Sequence, residues 1–83
     1  MPLIHRKQRV NATWALSAAE AGSLARHGVN IPTIADELGF NQQYVAVLIT
    51  LFYGYKEFPE LLKIPNITDA VELLKKLRKV NVV

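Results

Sequence analysis

The chain has 83 residues, 51% hydrophobic and 20% charged, with a formal net charge of +3. That suffices for one domain with a thin core, since at this size about 60% of the unfolded surface is coverable, and the mixture is too apolar for a mainly disordered chain. Cysteine is absent, which excludes disulfide staples, thiol catalysis and cysteine-based zinc sites.

Residues 1–13 read as a basic arm: Pro2 and the run Arg6, Lys7, Gln8, Arg9 show no core-facing period. A short strand through Leu3, Ile4 and Val10 is the alternative. No apolar run of the signal-peptide kind follows these cations. The first helix is expected to begin at Ser17, where Ser17-Ala18-Ala19-Glu20 matches a capping box and Leu16 stands at a staple position. It should run to His27, with Gly28 as its left-handed stop. Alanines at 18, 19, 21 and 25 make it slim enough for close neighbours.

Asn30 caps a second expected helix, Pro32 to Leu38, whose first turn tolerates the proline. Gly39 stops it. A third helix is expected from about Asn41 to Tyr53, ended by Gly54. Its run Val45 to Tyr53 is apolar nearly all round, which predicts burial on several sides, yet it is too short to cross a bilayer. Pro59 opens a helical turn over Glu60 to Lys63, which Pro65 breaks. The last helix should start at Thr68, with Asp69 placed favourably against its dipole. It runs to about Lys79 with Ile67, Val71, Leu74 and Leu77 at helical spacing. The tail Val80 to Val83 alternates and reads as extended. The expectation is an all-α class: one domain over residues 1–83, with an arm (1–13), a helix-turn-helix core (17–53) and a C-terminal helical region (59–83).

Within the core, three positions satisfy the constraints of two helices crossing through a tight turn. Ala35 is small where the helices cross, Gly39 follows four residues later where positive φ is needed, and Val45 points inward six further on. Ile34, Leu38, Phe40 and Leu48 complete an inward set. This pattern, with the phrase Ile34-Ala35-Asp36-Glu37-Leu38-Gly39-Phe40, resembles the helix-turn-helix superfamily of DNA-binding proteins, in the form found in phage repressors, DNA invertases and partition proteins. The capped helix before it is similar to the supporting helix of invertases. The resemblance covers roughly residues 16–53 and points to no single family within the superfamily.

The resemblance implies that the third helix enters the major groove of double-stranded DNA, presenting Asn41, Gln42, Gln43, Ala46, Val47 and Thr50. A glutamine amide pairs with both N6 and N7 of adenine, and Ala46 and Val47 suit thymine methyls, although plain packing explains those two equally. Phosphate contacts need cations, and Ile31 to Tyr55 holds no lysine or arginine. They are therefore assigned to the ends: Arg6, Lys7 and Arg9, similar to the minor-groove arms of invertases and homeodomains, and Lys75, Lys76, Arg78 and Lys79. Such basic ends also serve as solubilising tails.

Nothing in the sequence supports an enzyme. His5 and His27 lie far apart without a spaced carboxylate, so no metal is expected, and His27 reads as a dipole partner at a helix end. Asp36 and Glu37 are adjacent on a helix and face different ways. Glu57 and Glu60 surround a turn, and Ser17 has no base beside it. No glycine-rich phosphate loop occurs, so neither a cofactor nor a small-molecule substrate is expected. The glycosylation patterns at Asn11 and Asn66 read as coincidence. The expected function is a cytoplasmic DNA-binding protein: a transcription regulator, partition factor or DNA-packaging factor of a virus or mobile element. It is expected to be a homo-oligomer, most simply a dimer joined through the apolar stripe of the last helix; the competing reading is a monomer whose last helix folds back over Val47 and Leu51. The alternative is an interaction or oligomerisation module that uses the same fold without reading DNA.

Overall fold

A computed structural model describes residues 12–81. The element order is α1 (Trp14–Arg26), α2 (Ile31–Leu38), α3 (Gln42–Glu57), a 3-10 turn (Pro59–Lys63) and α4 (Ile67–Asn81), with no strand among the described residues. The all-α class with an added C-terminal helix is therefore what the chain forms. The basic arm expected over residues 1–13 lies outside the described residues except at its end, where Ala12 is fully buried.

The second helix follows its local signals. Asn30 adopts an extended conformation and its Oδ1 accepts from the Thr33 amide at 3.0 Å, and Pro32 sits in the first turn. Gly39 ends the helix at φ +77°. Asn41 then repeats the device, accepting from the Tyr44 amide at 2.8 Å. Gly28 likewise closes α1 at φ +89°, with the Val29 amide donating to the Leu24 carbonyl at 3.1 Å.

The first helix starts three residues earlier than its sequence signals suggest, and Ser17 is inside it rather than at its cap. The Trp14 ring is buried, and its Nε1 donates to the Ile64 carbonyl at 2.8 Å, tying α1 to the segment that leads into α4. Burying an indole with its N–H satisfied outweighs a local cap worth about 1 kcal/mol. No side chain caps the new start. Instead the Ala15 and Leu16 amides donate three residues back, to Ala12 and Thr13. Leu16, expected as a staple, is 74% exposed.

The third helix also departs from expectation, passing straight through Gly54 to Glu57. Gly54 is buried because α4 crosses there: a Cβ would lie 2.7 Å from Leu74 Cδ2. Its role is close approach and not termination. On the other side of α3, Gly22 of α1 meets the Phe52 ring, so the slimness of α1 is used as expected. The core joins Trp14, Ala18 and Ala21 of α1, Ile34 and Ala35 of α2, Val45, Leu48 and Leu51 of α3, Leu61, and Ala70 and Leu74 of α4. Val80, expected in an extended tail, is helical.

The stripe of α4 lies against this core. Leu74 is buried, and Ile67, Val71 and Leu77 are half-buried against the same cluster. The expected dimer contact is thus used within the chain: α4 folds back over α3. No helix of the described residues is long and apolar enough to cross a membrane.

Candidate nucleic-acid interface

Two buried residues and one turn set where α3 points. Ala35 is 5% exposed and Val45 fully buried, and the left-handed Gly39 joins their helices. The inward set behaves accordingly: Ile34 and Leu48 are buried, and Leu38 and Phe40 pack half-buried against the core. Phe40 and Tyr44 meet edge to face with centroids 4.9 Å apart, which fixes the turn against the first turn of α3.

Asn41, Gln42 and Gln43 are all exposed at that first turn. The Asn41 carboxamide oxygen is engaged as the helix cap, leaving Gln42 and Gln43 as the unencumbered pair among the expected base readers. Beside them an open groove of about 580 Å³ runs between Pro32, Thr33 and Asp36 on one side and Phe40, Asn41 and Gln42 on the other. Thr50 is exposed, its hydroxyl donating to the Ala46 carbonyl at 2.9 Å. Ala46 and Val47 are half-buried, and with Thr50 they border a notch of about 230 Å³ whose far wall is Val71 of α4. For Val47 the packing role is the one the fold displays.

The two helices run alongside in the same sense. Tyr44 and Val47 share a groove with Ile67 and Val71, Gly54 meets Leu74, and Glu57 meets Arg78. The consequence for charge is direct. Lys75, Lys76, Arg78 and Lys79 are exposed but sit by the C-terminal end of α3, about 20 Å along the helix from Gln43. The fold therefore does not bring them to the glutamines. Arg78 Nε lies 3.7 Å from Glu57 Oε1 with both side chains about half exposed, a pair worth little in water. Lys56 is stacked over the Phe52 ring, 4.5 Å from its centroid. Asp36 of α2 lines the groove beside Gln42, and Glu72 of α4 lines the one that Tyr44 and Val47 border.

Among the described residues seven cations meet seven acids, so the folded body is neutral and the whole excess of three resides in Arg6, Lys7 and Arg9. Those three lie outside the described residues. His27 behaves as a helix-end partner: its Nδ1 is 2.8 Å from the Ser23 carbonyl, which only accepts, so the nitrogen donates. Partial burial pushes the Tyr55 phenol above its ordinary value, which leaves it a neutral hydroxyl at physiological pH.

One feature beside this surface escaped the sequence: Trp14, whose signal was its position as the sole tryptophan before a slim helix. The approach of α4 to the α3 face is the monomer reading of the α4 stripe, which stood as the competitor to a dimer contact. The fold and surface define a small all-α domain with a helix, a tight turn and a glutamine-tipped second helix. Comparison with known proteins found no matching family model, no matching curated protein and no matching solved structure.

Proposed function

We propose that the chain binds double-stranded DNA through the first turn of α3, as a small regulator, partition or packaging factor. The observation that carries this reading is the exposure of Gln42 and Gln43 on a helix held by buried Ala35, left-handed Gly39 and buried Val45. Two adjacent carboxamides on a rigid, projecting helix end are suited to base edges in the major groove. Phosphate contacts fall to Arg6, Lys7 and Arg9, because no cation of α2 or α3 borders the tip. A dimer spanning two half-sites belongs to this reading, with a contact other than the buried Leu74 stripe. A titration of selected against random duplex at several salt concentrations tests it. Sequence preference with a steep salt slope supports it, and no binding at low salt overturns it.

A second reading is favoured by one observation: acids, Asp36 beside Gln42 and Glu72 beside Tyr44, line the grooves at the first turn of α3 on a neutral body. In that reading the same surface docks another protein, and DNA binding is absent at every salt concentration.

A further inference from the structure

We infer that the C-terminal end of α4 is a phosphate-binding surface for nucleic acid, separate from the α3 tip and indifferent to sequence. The neutral body is not evenly charged. Four of its seven cations, Lys75, Lys76, Arg78 and Lys79, stand together on α4, and all four are exposed. Among the described residues their one ion pair is Arg78 with Glu57, which leaves Lys75, Lys76 and Lys79 without a carboxylate partner. Lys75 and Lys79 lie one turn apart on the same side of the helix, about 6 Å along its axis, with Lys76 beside them. The dipole of α4 accounts for the cations of its last turn, Arg78 and Lys79, but its influence fades before Lys75 and Lys76. Like charges one turn apart cost a helix stability, and a polyanion removes that cost.

The partner follows from charge and from what α4 has already buried. A membrane surface would need apolar side chains to insert beside the lysines. The α4 stripe is instead packed against the core, and Val80 is the one large apolar side chain of the helix that is exposed. A nucleic-acid backbone asks only for cations. Two observations make this surface separate from the tip. It lies about 20 Å along α3 from Gln43, farther than a lysine side chain reaches. Between the two, the exposed face of α4 carries Asp69 and Glu72, which repel any phosphate track running from one to the other. The end of α4 therefore holds a different stretch of nucleic acid from the one proposed for the tip, and does so whether or not α3 reads bases.

The test uses the full chain and a short duplex of random sequence. Lys75→Gln/Lys79→Gln is compared with Arg26→Glu on α1, across α3 from α4; each lowers the net charge from +3 to +1. The lysine pair should flatten the dependence of log affinity on log salt by roughly two units, and Arg26→Glu by less than about half a unit. Equal slopes in the two variants overturn the inference. Amide resonances locate the surface in the unsubstituted chain. Those of Lys75, Lys76 and Lys79 should move as duplex is added, and should move as far at saturation in Gln42→Ala/Gln43→Ala. Resonances unmoved at all three lysines overturn the inference, and movement that disappears in the glutamine variant overturns the separation from the tip. The α3 reading fails by a different result, equal binding of selected and random duplexes. Vesicles rich in phosphatidylserine should bind more weakly than the duplex, and tighter binding to them would assign the face to a membrane instead.

Discussion

Gln42 and Gln43 are exposed, whereas Asn41, adjacent and chemically similar, has its oxygen engaged by the Tyr44 amide. Under the proposed function, replacing either glutamine with alanine should cost on the order of 1–3 kcal/mol on the preferred duplex and relax preference at one base pair. Unchanged ratios of preferred to random binding would remove both from the interface. Asn41→Ala is a different experiment, because it removes a cap and should lower stability by about 0.5–2 kcal/mol with or without DNA. Gly54 shows what a single residue hides. A glycine near the end of an apolar run reads as a stop, but the reason for this one lies on another helix, in the Leu74 side chain. Gly54→Ala gains about 1 kcal/mol of helix propensity, and the buried Leu74 that its methyl meets has little room to withdraw. Overpacking of this kind costs about 1–3 kcal/mol, so urea denaturation should show a net loss.

The bounds of α2 and the start of α3 were legible because their determinants are local, whereas the equally local cap of α4, Asn66 Oδ1 accepting from the Thr68 and Asp69 amides, was passed over. Asn30, Pro32, Gly39 and Asn41 sit where the second and third helices begin and end, because caps and left-handed stops act within four residues. The start of α1 and the end of α3 were misread, since both are set by contacts from far along the chain: the Ile64 carbonyl under Trp14 and Leu74 against Gly54. A pair of substitutions separates the two kinds of determinant. Ser17→Ala, which would cost about 1 kcal/mol at a true cap, should change stability by less than roughly 0.5 kcal/mol inside a formed helix. Trp14→Phe keeps an aromatic ring but leaves a part-buried carbonyl without its donor, and should cost about 1–3 kcal/mol. The opposite ranking in thermal melts would restore Ser17 as the start of the helix. For the candidate interface, the apolar period of α4 gave its inward face but could not choose between a second chain and Val47 of the same chain as the surface it covers.

At the scale of the whole molecule, a neutral body joined to a segment carrying all the excess charge makes that segment the controlling electrostatic element. If α3 binds DNA, neutralising Arg6, Lys7 and Arg9 should weaken binding about equally for all sequences and flatten the salt dependence by roughly one unit per lost phosphate contact. Glu72→Gln removes an acid that shares a groove with Tyr44 and Val47, without changing side-chain size. If the first turn of α3 meets DNA, losing that acid relieves direct repulsion of the polyanion. Binding to preferred and random duplexes alike should then tighten, by roughly threefold at low salt, while the preference read by Gln42 and Gln43 stays intact. The gain should persist when Arg6, Lys7 and Arg9 are uncharged, since the repulsion does not act through them. Unchanged affinity at low salt would mean that Glu72 stands away from the bound duplex.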